Sequence, residues 1–163
     1  MKWNTLFLAA TTLFIVAAGC KKNKDDNNSS NSIVLSATIG GSFFKPGVNN
    51  AIYGTLSRTY ILGGSTINNG DSALFTLVLT APFSLNTDLG TSGKAAITYQ
   101  YAGKKYLSGP GSGPLSCKVI SLDSVNHKIA GNFSGTLFAT SNRDSLAMTN
   151  GSFDATYSVV NNF

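Results

Sequence analysis

The feature that most constrains this chain is alternation. Ile33, Leu35, Ala37 and Ile39 are separated by Val34, Ser36 and Thr38 and followed by Gly40-Gly41, the period of a half-buried strand running into a turn. The pattern recurs and predicts strands over 33–39, 42–45, 51–56, 59–63, 72–80, 95–101, 105–108, 115–122, 128–140, 146–149 and 153–160, with no helix after the N-terminal segment. Between them stand residues that accept positive φ or hydrogen-bond their own backbone: Asn68-Asn69-Gly70-Asp71, Ala102-Gly103, Asn126-His127, Asn142-Arg143-Asp144 and Asn150-Gly151. Short turns join antiparallel neighbours. The expected class is therefore all-β, a single antiparallel β-sandwich or a partly open up-and-down barrel of about ten short strands, and spacing alone does not separate the two.

Composition points the same way. Only 12% of the 163 residues are charged and none is Glu, whereas roughly a quarter of an average soluble domain is charged. That argues against long solvated helices, coiled coils and acidic disordered tails. The net charge of +5 is dispersed: Lys2, Lys21, Lys22 and Lys24 precede the strand-rich region, and residues 33–163 carry 8 basic residues against 5 Asp. With no basic stripe and no RNA-binding aromatic motif, nucleic acid is not an expected partner.

The chain divides into three. Residues 6–18 form a 13-residue apolar stretch behind Lys2, shorter than the roughly 20 residues that span a bilayer in helix and suited to the apolar region of a secretory signal. Residues 21–32 read KKNKDDNNSSNS, with nothing to bury, and are expected to be a flexible tether. The expected organisation is a removed signal peptide over 1–19, Cys20 and its tether over 20–32, and one β-domain over 33–163, long enough for a single core.

Val16-Ala17-Ala18-Gly19-Cys20 resembles the lipobox of bacterial lipoproteins, with Ala17 where that family usually has Leu. The resemblance implies cleavage before Cys20, a diacylglyceryl group on its thiol and acylation of the new amine. Several acyl chains anchor a protein firmly where one is only marginal. Lys24-Asp25-Asp26 resembles the Lys-then-acidic signal of Bacteroidota lipoproteins carried to the outer face of the cell, and reads equally as solvated tether. The strings Ala37-Thr38-Ile39-Gly40-Gly41-Ser42-Phe43, Ile129-Ala130-Gly131-Asn132-Phe133 and Thr149-Asn150-Gly151-Ser152-Phe153 are similar to a family of small β-rich Bacteroidota lipoproteins without an established activity. Together these resemblances imply an outer-membrane protein, lipid-anchored and facing the exterior.

Residues able to carry chemistry are few. Paired-carboxylate hydrolysis needs two carboxylates about 5 to 9 Å apart, but Asp71, Asp88, Asp123, Asp144 and Asp154 stand beside turns or strand ends, where capping is the expected role. His127 is the only His and lies in a polar turn; Cys117, in phase with Leu115 and Val119, is expected to be a buried small hydrophobe. With Cys20 lipidated, no intramolecular disulfide remains. Gly111-Ser112-Gly113 lacks the setting of a nucleophile elbow and Gly90-Thr91-Ser92-Gly93-Lys94 that of a phosphate loop. Asn68-Asn69-Gly70-Asp71 supplies at most three oxygen ligands for a weak Ca²⁺ site. Accordingly no catalytic residue, no metal site and no cofactor is expected.

Two constellations leave a function open. Tyr99, Tyr101 and Tyr106, with Lys104 and Lys105, are either core residues in phase with Ile97 or a stacking platform for a sugar, with Tyr101 facing Tyr106 across the turn. Asp71-Ser72-Ala73, Asp123-Ser124-Val125 and Asp144-Ser145-Leu146 resemble the Asp-Ser/Thr-apolar acceptor of the Bacteroidota O-glycosylation system, making Ser72, Ser124 and Ser145 candidate acceptors. The same tripeptides also suit turns that lead into strands. The expected function is a non-catalytic binding or structural domain for an unknown glycan or envelope protein, attached to the membrane through its N-terminal lipid. The alternative is an envelope hydrolase that uses Asp side chains and His127.

Overall fold

The computed structural model describes residues 33–68 and 70–161. The expected signal peptide, Cys20 and the tether lie outside them, as does Asn69. The described chain forms β1 (Ile33–Ile39), β2 (Ser42–Phe44), β3 (Val48–Gly54), β4 (Thr59–Asn68), β5 (Asp71–Thr80), β6 (Ala95–Tyr101), β7 (Lys104–Ser108), β8 (Leu115–Asp123), β9 (Lys128–Ala139), β10 (Ser145–Thr156) and β11 (Ser158–Val160). The described residues contain no helix. All eleven strands belong to one open sheet, in the order β11-β3-β4-β5-β6-β7-β9-β10-β1-β2, with β8 also paired to β9.

Pairing directions give the sheet two ends. Every ladder is antiparallel except that of β11 with β3. β11 continues β10 beyond Tyr157 and meets β3 in the direction it already travels, which makes that pair parallel. Because β10 and β11 are consecutive, the sheet curls until β3 lies near the strand that sits next to β1. The start of β1, Tyr157 and the turns at 55–58 and 124–127 mark one end, here the start end. The turns at 40–41 and 102–103 and the segment 140–144 mark the far end.

The inner face of the curl is the core. Leu35, Ala37 and Ile39 of β1, Phe75, Leu77 and Leu79 of β5, and Cys117 and Val119 of β8 are all buried in alternation with exposed or half-buried neighbours, as the period predicts. Among the described residues the buried core runs from Leu35 to Tyr157 and forms one cluster.

The largest departure from the sequence expectation is at Asn150-Gly151, which makes a bulge inside one twelve-residue strand rather than a turn between two. Met148 pairs with Gly135 and Gly151 with Phe133, so β10 spends one more residue than β9 over this stretch, and Asn150 adopts φ 51°. Asn is chosen for turns and bulges by the same tolerance of positive φ, so local sequence does not distinguish them. β4 also runs to Asn68 rather than residue 63, and β3 begins at Val48 rather than residue 51. Asp123-Ser124-Val125 closes β8 instead of opening a strand.

Strand glycines allow the close packing of β8, β9 and β10. A Cβ on Gly131 would stand 2.2 Å from the Lys118 carbonyl oxygen and 2.5 Å from the Phe153 ring. Gly131→Ala is therefore expected to lower unfolding free energy by about 1–3 kcal/mol. Gly47→Ala, where nothing lies within 4 Å, should change it by less than about 0.5 kcal/mol. Urea midpoints of the two variants check the contrast, and equal midpoints would disprove this account of the packing.

Candidate functional site

The far end of the sheet is roofed by its own chain. Gly40 and Gly41, at φ 57° and 82°, turn β1 into β2. Successive side chains then diverge: Phe43 is 68% exposed, whereas Phe44 is buried. The Phe44 ring lies 5.8 Å from Phe75 and edge-on to Tyr99 at 5.7 Å, so it plugs the interior at this end. Residues 45–47 then lead into β3. Between β2 and the ends of β4, β5 and β6 remains a pocket of about 170 Å³, walled by Ile39, Phe43, Tyr99, Tyr101 and Leu146, with Thr66 among its polar groups. No charged side chain lines it.

Two of the three singled-out tyrosines meet here. Tyr99 and Tyr106 are buried and Tyr101 is half-buried. The two-residue turn at Ala102-Gly103 places Tyr101 opposite Lys104 and Tyr99 opposite Tyr106. The expected face-to-face pair of Tyr101 and Tyr106 is thus corrected by two residues of register. Tyr99 and Tyr101 lie with ring planes 16° apart and centroids 6.3 Å apart. The Tyr106 hydroxyl donates to Asp144 Oδ2 at 3.3 Å, which also receives Lys104 Nζ at 3.3 Å. Burial pushes the Tyr99 phenol up, with Tyr101 and Tyr106 adding to it; burial followed by Asp144 does the same at Tyr106. Both remain neutral at physiological pH.

Three of the five aspartates in residues 33–163 are committed to structure. The loop of residues 81–94 lies along the outer edge of β8, where Asn86 N and Leu89 N donate to the carbonyls of Val119 and Cys117. Asp88 completes that edge. Its Oδ1 accepts from Gly90 N at 2.9 Å, Cys117 N at 3.2 Å and Thr91 N at 3.4 Å, while Oδ2 accepts from the Ser116 hydroxyl at 2.7 Å. Burial raises this carboxyl, but the hydrogen bonds outweigh burial and hold it below its ordinary value. Asp123 accepts from Val125 N, Asn126 N and Asn126 Nδ2 inside its own turn. Asp144 serves Lys104 and Tyr106. Asp71 instead pairs with Asn68 in the β4–β5 ladder, and Asp154 is exposed two residues before the end of β10.

The structure does not gather an Asp/His constellation. His127 is exposed, at φ 52°, with its ring stacked on Tyr157 at 5.4 Å, and it makes no hydrogen bond to an Asp among the described residues. No group of three His, Cys, Asp or Glu able to hold a metal occurs among the described residues. Cys117 is fully buried, and burial, followed by Asp88, pushes its thiol up to about 12. Ser72, Ser124 and Ser145 are all exposed. Ser72 and Ser145 open strands, whereas Ser124 lies in the turn after β8.

Phe43 and Phe44 were missed as site residues. Their only local signal is an aromatic pair straight after Gly40-Gly41, one residue for each face of the strand. Asp88 was placed among the caps, but its reach to β8, 28 residues away, has no local signature.

Asp88→Asn puts an amide where backbone donors converge and is expected to cost about 1.5–3 kcal/mol. Because the Asp88 carboxyl sits below its ordinary value, its stabilisation is complete above roughly pH 4 and is lost as pH falls through the folded value. Acid unfolding of Asp88→Asn should therefore be shallower than that of the parent, and superimposable acid curves would refute the assignment. Cys117 should resist iodoacetamide at pH 8 in the folded protein and react after denaturation; fast labelling of native protein would contradict its burial.

No family model, curated protein or solved structure matches the chain, and the reading of this site rests on the chain's own residues.

Proposed function

We propose that this chain is a lipid-anchored, surface-displayed binding domain of the outer membrane, non-catalytic, that takes its ligand at the far end of the sheet. The carrying observation is the position of the pocket. It opens at the end of β1, Ile39 and Gly40 being part of its lining, while the tether would join at Ile33. Seven strand residues separate the two, about 20 Å at the rise of a β-strand. A domain tethered at Ile33 would carry this pocket at the end opposite its attachment, clear of the tether. The lipobox and the apolar-free tether support the anchoring, and the likeness to the small β-rich Bacteroidota lipoproteins agrees with it. The engagement of Asp88, Asp123 and Asp144 in structure, with His127 resting on Tyr157, favours binding over hydrolysis.

Anchoring and site are tested separately. Cys20→Ser should leave the protein uncleaved or released, and protease added to intact cells should remove the parent domain; digestion only after lysis would place it on the periplasmic face. For the site, a screen of glycans, envelope extracts and small aromatic compounds should give a ligand that is lost in Phe43→Ala and Tyr101→Ala while circular dichroism shows both variants folded. Retention by both variants would move the site elsewhere. If the three Asp-Ser tripeptides are acceptors, protein from the native host should lose its excess mass when Ser72, Ser124 and Ser145 are changed together to Ala. Equal intact masses, after allowing for the lipid, would leave them as turn chemistry.

A further inference from the structure

We infer that the far-end pocket is built for a small neutral aryl ring bearing one hydrogen-bonding oxygen, a phenol being the simplest example, with the Tyr99 hydroxyl as the group that meets that oxygen. The inference rests on the reading of this pocket as the ligand site and names what enters it.

Size comes first. The pocket measures about 170 Å³, and an apolar protein cavity of about 150 Å³ accommodates one benzene. One six-membered ring fits. Chemistry narrows the class. The walls are aromatic and aliphatic, and no charged side chain lines them, so an ionised ligand would be desolvated without a partner. A sugar would bring several hydroxyls, yet beyond the tyrosines the lining offers only the half-buried Thr66 and the exposed Ser42 as hydroxyl groups. Most of a buried sugar's hydroxyls would go unpaired.

Tyr99 supplies the second, independent observation. Its side chain is 7% exposed and lines the pocket, and its hydroxyl makes no hydrogen bond among the described residues. Buried polar groups nearly always have partners. Its neighbour Tyr106 follows that rule through Asp144, and the buried Ser108 follows it by donating to the Pro114 carbonyl. The Tyr99 hydroxyl has no such partner among the described residues and still reaches solvent, so a ligand oxygen would take the place of water there. Phe43, 68% exposed at the rim beyond the Gly40-Gly41 turn, is placed to close over the outer edge of the ring.

The test is an amide-resolved NMR titration of the full chain with p-cresol, toluene and methyl α-glucopyranoside. p-Cresol should shift the amides of Gly40, Phe43, Tyr99 and Tyr101 and bind about two- to tenfold more tightly than toluene, the value of one net hydrogen bond. Tyr99→Phe should keep the fold and bring the two affinities together. Phe43→Ala, a change at an exposed position, should weaken both severalfold. A p-cresol preference that survives Tyr99→Phe overturns the role of the hydroxyl. Shifts of these amides by the glucoside and not by p-cresol overturn the ligand class and leave the pocket as the site. No shift at these amides with any of the three overturns both the class and the site.

Discussion

The interior depends on a reciprocal arrangement of glycine and phenylalanine between β9 and β10. Gly131 faces Phe153 and Gly151 faces Phe133, so each ring lies over a position without a side chain. Glycine inside a strand ordinarily weakens a sheet through backbone entropy and missing contacts. Here the vacancy is filled. A Cβ on Gly151 would stand 2.3 Å from the Phe133 ring. Freed to lie across the strands, Phe133 stacks on Phe75 at 5.3 Å, Phe75 sits opposite Gly64 on β4, and Phe44 meets Phe75 from the roof. This file of rings ties β9 and β10 to β5 through the middle of the curl, and the curl holds its shape because its walls are pinned to one another.

The bulge at Asn150 is a condition of that arrangement. Met148, Gly151, Phe153 and Ala155 all face inward, an interval of three followed by intervals of two, which a regular strand cannot provide. The extra residue restores the phase. Without it Gly151 would turn outward and Phe133 would lose the space it occupies, since a shift of one residue moves every side chain to the other face. The strings Ile129-Ala130-Gly131-Asn132-Phe133 and Asn150-Gly151-Ser152-Phe153 are thus the two halves of one packing unit.

How much of this could be read from the sequence follows from how local each cause is. β6 has the bounds that alternation predicts, residues 95–101, because its inner residues and its two-residue turn are adjacent in sequence. The burial of Cys117 was legible for the same reason. What escaped is what distant partners decide. Asn150-Gly151 has turn chemistry, and only pairing with β9 and β1 makes it a bulge. Asp88 looks like a cap until β8 is laid beside it. The Tyr101 and Tyr106 pairing failed by register, which depends on the turn being two residues long rather than four. The pocket has no sequence signature at all, since β2 must cross the far end to create it.

The two ends of the sheet are built from the same material and finished differently. At the start end Tyr53 and Tyr60 stack at 4.4 Å, Tyr157 stands edge-on to Tyr60 at 5.1 Å, Phe83 comes in from the 81–94 loop, and His127 covers Tyr157. Rings there satisfy rings, and burial followed by the neighbouring Tyr157 raises the Tyr60 phenol. At the far end Phe44 fills the axis, but Tyr101 and Phe43 are left with free surface around a space of one ring's size. Closing it would have needed only one more large apolar side chain at Ala73 or Thr66, both on its wall. Asp88 and Asp123 are held in place by backbone, hydroxyl and amide groups, and Asp144 by Lys104 and Tyr106. Incomplete aromatic packing is what sets the far end apart from the start end.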